Sequence, residues 1–150
     1  MSPSRRAERS SLRLIKGAQE TAHAAHEVVV ARLALARSGR LNVDEAALMG
    51  MEKLQALGEG AADAGRILSA AGDRAARDAT QEAKLALDAW TRASTDPSGA
   101  VAVQAAWLMG GWLRAADAAT AFTASMLEAQ AAALEPVRRV AVANAKRLKR

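Results

Sequence analysis

Apolar and polar residues recur with a helical period along most of the chain, and two interruptions divide this pattern into three segments. In the first, residues 38–44, Gly39 suits the position after a helix end and Asp44 suits the N-cap of the next helix. In the second, residues 95–99, Pro97 is placed to stop one helix and begin another. The sequence therefore predicts an all-α fold of three long amphipathic, alanine-rich helices at about 5–37, 45–94 and 98–148, with no sheet.

The third predicted helix has the clearest apolar period, with a spacing that alternates between four and three residues as in a coiled-coil seam. Its seam consists of Val101, Ala105, Leu108, Trp112, Ala115, Ala119, Phe122, Met126, Ala129 and Ala133. The same spacing gives the first helix a seam of Leu12, Ile15, Gln19, Ala22, His26, Val29, Leu33 and Ala36. The second helix has Leu54, Leu57, Ala61, Ala64, Leu68, Ala71 and Ala75 and, after a slip of one residue, Ala79, Ala83, Ala86, Trp90 and Ala93. We expect these seams to pack in a helical bundle or coiled-coil-like assembly, with Trp90 in the core.

Composition makes this predicted core thin. Hydrophobic residues are 51% of the chain, but 40 residues are alanine, and Leu, Ile, Val and Phe together number only 28 of 150. Alanine is the best helix former, yet it buries little apolar area. A monomer would be marginally stable, so we expect self-association or adsorption to a surface to complete the burial.

Charge is unevenly distributed. Residues 1–16 have a net charge of +4 and residues 138–150 of +6, whereas the segment between them has −5. Basic ends favour anionic surfaces such as nucleic acid or lipid headgroups, although they also serve solubility and helix ends. We expect one domain over 1–150 with flexible ends at 1–10 and 146–150. The candidate anionic-surface contacts are Arg138, Arg139, Lys146, Arg147, Lys149 and Arg150.

The sequence offers little chemistry. His23 and His26 share a helix face, but no obvious third metal ligand accompanies them, so ordinary histidines are favoured. Gly58 and Gly60 lie inside a helical pattern rather than after a strand, which argues against a phosphate loop. Cysteine is absent, so disulfides and zinc-thiolate sites are excluded. We predict no catalytic residue, cofactor or metal. The longest uncharged stretch, 97–113, contains proline and glycine and is a poor membrane span, and we expect a cytoplasmic protein.

Aromatic residues concentrate in the third helix. Trp112 and Phe122 lie on its seam, whereas Trp107 lies about 140° away from Trp112 at about 100° per residue. Trp107 is therefore either an interfacial anchor or a residue that packs on a neighbouring helix. The candidate residues for an apolar surface or an oligomer seam are Val101, Trp107, Leu108, Trp112, Phe122 and Met126.

Three segments resemble the phasins, the proteins that coat polyhydroxyalkanoate storage granules in bacteria. They are an apolar run followed by arginine at 28–33, a Met-x-x-Glu-Lys-x-x-Ala pattern at 49–56, and a proline at 136 followed by Ala-Asn-Ala-Lys-Arg-Leu at 143–148. The residues that match the family signature are Met49, Glu52, Lys53, Pro136, Asn144, Arg147 and Leu148.

The resemblance implies a non-enzymatic surfactant. Amphipathic helices would lie on the polyester and limit the size and coalescence of cytoplasmic granules. It also implies a homo-oligomer, commonly a tetramer, with polyester synthase or depolymerase as partners. Two alternatives stay open on the sequence. One is a nucleic-acid-binding or nucleoid-associated protein that works through its basic ends, and the other is a peripheral protein on anionic lipid.

Overall fold

The computed structural model describes residues 2–39, 43–96 and 98–148, and nearly all of them are helical. Helix α1 spans Pro3–Arg37, α2 spans Val43–Thr95 and α3 spans Ala100–Leu148. No strand occurs in these described ranges. The all-α prediction with three long helices is confirmed, and the predicted ends lie within two residues of the observed ones. Where flexible basic ends were expected, residues 3–10 and 146–148 are helical.

The end of α1 follows the predicted glycine signal. Gly39 has a positive φ of 68°, and its N–H donates to the carbonyl of Ala36 at 3.1 Å. This left-handed conformation suits glycine after a helix end. Helix α2 begins at Val43, so Asp44 lies in the first turn and is not the N-cap that the sequence predicts.

The turn between α2 and α3 is organised by an aspartate. Asp96 Oδ1 accepts a hydrogen bond from the Ser98 hydroxyl at 2.5 Å and another from the Gly99 N–H at 3.3 Å. These bonds, the one from Ser98 first, lower the pKa of Asp96. Pro97, predicted to separate the two helices, lies outside the described residues.

Helix α3 is the central helix, because α1 and α2 both pack on it and their backbones do not closely approach each other. Helices α2 and α3 are antiparallel, as ion pairs between Glu82 and Arg114 near the turn and between Glu52 and Arg147 at the far end show. Helix α1 runs parallel to α3, with Glu20 paired to Arg138.

The unequal helix lengths divide the molecule into two parts. Helix α1 has 35 residues against 53 in α2 and 49 in α3, or about 50, 80 and 75 Å. The contact between Gly17 and Leu134 places the start of α1 level with about residue 120 of α3. We call residues 3–37, 43–76 and 120–148 the three-helix part, and residues 77–95 and 100–119 the hairpin.

Small residues form the interior of the bundle. The buried apolar side chains are Ala24, Val28, Met49, Ala56, Ala71, Ala124, Ala129 and Ala145, and the buried polar ones are Ser10, Ser125 and Asn144. Four of them form one cluster, at the end of the three-helix part where α2 begins. The thin core expected from the composition is therefore present.

The predicted seams, in contrast, mostly face solvent, and the prediction of which face packs is wrong. In α1 the exposed residues include Leu12, Ile15, Val29 and Leu33, and in α2 they include Leu54, Leu57 and Trp90. In α3 the seam is exposed from Val101 to Met126 and turns inward only at Ala129 and Ala133. The helices pack through their other face instead, where small residues let the backbones approach and oppositely charged residues meet across the interface.

Candidate functional site

One side of α3 is apolar, uncharged and open to solvent. We define the outer apolar face as Val101, Ala105, Leu108, Met109, Trp112, Ala115, Ala119, Phe122 and Met126. The exposed fraction is 80% for Val101, 77% for Trp112 and 49% for Leu108. Apart from Met109, which follows Leu108 directly, their spacing of three and four residues places them along one side of the helix.

No charged side chain interrupts this face over its length of about 37 Å. The two charged residues between 101 and 126 are Arg114 and Asp117. Arg114 turns towards α2, and Asp117 lies about 160° around the helix from Val101. A continuous exposed apolar patch of this kind is uncommon on monomeric proteins and marks interaction surfaces.

An ion pair fixes the rotation of α3 in the hairpin. Arg114 donates from Nε and Nη2 to the two carboxylate oxygens of Glu82, each at 2.7 Å. The hydrogen bond from Arg114 is the main reason that the pKa of Glu82 is lowered, and it raises the pKa of Arg114. Because Arg114 faces α2, the outer apolar face on the opposite side of α3 points to solvent.

Trp107 lies on the inner side. It is half-buried, seven residues from Arg114 on the same side of α3, and its Nε1 is buried without a hydrogen-bond partner among the described residues. Trp107 and Trp112 therefore point to different sides, as their predicted separation requires. The half-buried position of Trp107 on the side of α3 that faces α2 favours packing on the neighbouring helix, and its role as an interfacial anchor stays a prediction.

Helix α2 adds apolar surface to the hairpin. Trp90 is 74% exposed and Leu87 is 68% exposed, so the predicted core position of Trp90 is wrong. The inner side of α2 is occupied by Glu82, Leu85 and Ala89, which are half-buried. Sequence reasoning also missed Leu87, Met109 and Leu113, all of which are exposed. The signal for Met109 and Leu113 was the lack of charge between 100 and 113.

Most residues of the family signature meet at one end of the three-helix part. Met49 is buried in the cluster at the start of α2, with Leu148 packed against it. Arg147 lies 3.5 Å from Glu52 and donates to the Oδ1 of the buried Asn144 at 2.9 Å. Pro136 is buried elsewhere on α3, and Lys53 is exposed. Met49, Glu52, Asn144, Arg147 and Leu148 thus join helices to one another and do not form an exposed patch.

The arginines near the end of α3 are also used within the bundle. Arg138 donates to Glu20 and to Glu135, each at 2.6 Å. Its bond to Glu135 lowers the pKa of that carboxyl, and the bonds to Glu135 and Glu20 raise the pKa of Arg138. Arg139 donates to Glu59 at 3.0 Å.

Of the other candidate anionic contacts, Lys146 is exposed, whereas Lys149 and Arg150 lie outside the described residues. His23 and His26 are exposed, and His23 Nε2 lies 3.4 Å from Glu27. Among the described residues, no group of three or more side chains is arranged to hold a metal ion. No helix in the described ranges is both long and apolar enough to cross a membrane.

Comparison with protein-family models, with curated proteins and with solved structures finds no match to this chain. The function therefore has to be inferred from the arrangement of its residues. The feature that most needs an explanation is the outer apolar face, since large apolar side chains face water while alanine fills the interior.

Proposed function

We propose that this chain is a non-enzymatic granule-coating protein that binds polyhydroxyalkanoate through the outer apolar face of α3. The observation that supports this most is the exposed, uncharged row from Val101 to Met126. The phasin resemblance supports it independently. The protein would act at the surface of cytoplasmic granules and control their size and coalescence.

The chemistry of the face suits a polyester. Removing a large apolar side chain from water contributes about 1.5–3 kcal/mol when burial is complete. Leu108, Trp112, Phe122 and Met126 together supply several kcal/mol even with partial burial. A tryptophan ring can also lie on apolar surface while its indole N–H donates to an acceptor. The ester carbonyls of the polymer are such acceptors, and Trp112 and Trp90 are exposed enough to reach them.

The charged residues would remain in water when the face is covered. Most of them lie in the three-helix part and point away from the outer apolar face. A hydrated, charged layer around each granule opposes contact between granules. We further propose that copies of the chain associate in solution, and that synthase or depolymerase can share the granule surface with them.

The test is co-sedimentation with polyhydroxybutyrate particles. The double variant Leu108→Glu/Trp112→Glu places two charges on the outer apolar face. The control Gln81→Glu/Thr91→Glu adds the same charge at two exposed polar positions of the hairpin. We expect the first variant to bind at least about tenfold more weakly, a change of about 1.4 kcal/mol or more, and the control to bind like the wild type.

Circular dichroism checks that both variants stay helical. Equal binding by the wild type and by Leu108→Glu/Trp112→Glu would contradict the proposal. Vesicles of anionic lipid provide a second arm, because the alternative of a peripheral lipid-binding protein predicts tighter binding to them than to the neutral particles.

A further inference from the structure

An open groove of about 650 Å³ lies between α1 and α2, with α3 beneath it. Five arginines line it: Arg6, Arg9 and Arg13 from α1, and Arg66 and Arg74 from α2. Two carboxylates also line it, Asp63 and Glu128. The lining therefore has an excess of three positive charges, although the chain between the two basic ends is acidic.

The three arginines of α1 are not explained by the fold. Arg6, Arg9 and Arg13 are spaced three and four residues apart on one side of α1, and none forms an ion pair with a described residue. Like charges at this spacing repel each other. Arg6 also lies near the start of α1, where the helix dipole disfavours positive charge and the first turn contains no acidic residue. A bound anion would relieve both effects.

The arginines of α2 are held at the opposite wall. Arg66 pairs with Asp63, and Arg74 donates to the Oγ of the buried Ser125 at 3.2 Å. These contacts tether the two side chains beside the groove and leave part of each guanidinium free to bind another acceptor, because each has five donors. Arginine is well suited to phosphate, which accepts two of these N–H groups at once.

We propose that this groove binds the phosphodiester backbone of a single nucleic-acid strand. Arg6 to Arg13 spans about 10 Å and Arg66 to Arg74 about 12 Å along their helices. Successive phosphates of an extended strand lie farther apart than the axial spacing of about 3.4 Å in a duplex strand, so about two phosphates fit this length. Among the residues that the structure describes, no aromatic side chain lines the groove, so bases have no stacking platform there and we expect binding that is independent of sequence.

This site is separate from the outer apolar face. The groove lies in the three-helix part, whereas the face extends from the hairpin along the side of α3 that Arg114 leaves exposed. It also differs from the basic end of α3, where Arg138, Arg139 and Arg147 are paired with carboxylates.

The test uses the full chain and a short fluorescein-labelled oligothymidylate, with binding followed by fluorescence anisotropy over a range of salt. For the wild type, we expect the logarithm of the affinity to fall against the logarithm of salt with a slope of about −1.4, from about two phosphate contacts at about 0.7 each. The variant Arg9→Gln/Arg13→Gln should bind about tenfold more weakly and flatten the slope by about 0.7, the loss of one phosphate contact.

The control variant is Arg37→Gln/Arg77→Gln, which removes the same charge from two exposed arginines outside the groove. It should bind within about twofold of the wild type, because net charge alone acts weakly once salt screens it. Equal loss in both variants would overturn the proposal, and so would the absence of binding at low salt.

Two competitors identify the source of the phosphate. If inorganic polyphosphate or anionic lipid vesicles bind in the groove in preference to the strand, the assignment to nucleic acid is overturned. A further measurement needs no substitution: binding of the strand should raise the melting temperature of the wild type. The variant Arg9→Gln/Arg13→Gln should bind polyester like the wild type. Failure of the nucleic-acid proposal is therefore distinguishable from failure of the granule proposal.

Discussion

At the scale of single residues, a close approach of α2 to α3 depends on a glycine. A Cβ built on Gly60 would lie 2.3 Å from the carbonyl oxygen of Ala133, which is backbone and cannot move aside as a side chain can. Gly58, two residues earlier, has open space around it. The same residue type therefore has a packing role at one position and none at the other.

We predict opposite effects for alanine at these two positions. Gly60→Ala should lower the free energy of unfolding by about 1–3 kcal/mol, because the added methyl group forces the two helices apart. Gly58→Ala should raise it by up to about 1 kcal/mol, through helix propensity alone. Urea denaturation followed by circular dichroism measures both. A stabilised Gly60→Ala variant would show that the helices are not in close contact there.

At the scale of elements, the hairpin is oriented by one ion pair between α2 and α3. The side chains of Glu82 and Arg114 are both about 40% exposed, so solvent screens their attraction and the contribution to stability is modest. Its bidentate geometry matters more, since it selects which side of α3 faces α2.

This pair makes the hairpin sensitive to acid. The folded pKa of Glu82 is depressed below its ordinary value of 4.5. The stability that the ion pair contributes is therefore fully present above the ordinary pKa and is lost as the pH falls through the folded pKa. Wild type should therefore lose thermal stability relative to Glu82→Gln as the pH is lowered from about 6 to below the folded pKa. If the melting temperatures of the two proteins change by the same amount across this pH range, the role of the ion pair is contradicted.

The end of α1 and the turn before α3 could be predicted because local chemistry sets them. Gly39 can adopt a positive φ, and the Asp96 carboxylate binds the Gly99 N–H in the turn before α3. Neither signal depends on distant residues. The side on which each helix packs depends on the other helices, and the apolar period alone therefore did not identify it.

At the scale of the whole molecule, every helix has two apolar sides, and the one with the larger residues is outside. Alanine lies on both, so the period fits either choice. The missing signal was charge complementarity between α2 and α3. Three glutamates of α2 lie as far before the turn as three arginines of α3 lie after it, and they form the pairs Glu52–Arg147, Glu59–Arg139 and Glu82–Arg114. Reading those pairs together with Gly60 would have identified the inner side of both helices.

The exposed apolar sides predict association between copies of the chain. At increasing concentration, the wild type should form oligomers in sedimentation velocity experiments, because contact between copies removes the outer apolar faces from water. Leu108→Glu/Trp112→Glu should remain monomeric over a wider concentration range than Gln81→Glu/Thr91→Glu. A wild type that stays monomeric at the highest concentrations would show that water alone covers these faces.

The three tryptophans occupy two kinds of environment. Trp107 has a buried indole nitrogen on the side of α3 that faces α2, whereas Trp90 and Trp112 project from the surface of the hairpin. The emission of the native protein is thus the sum of a shielded fluorophore and two that a dissolved quencher can reach. Binding that covers the surface of the hairpin changes the emission of Trp90 and Trp112. The emission of Trp107 stays unchanged and serves as an internal reference within the same molecule.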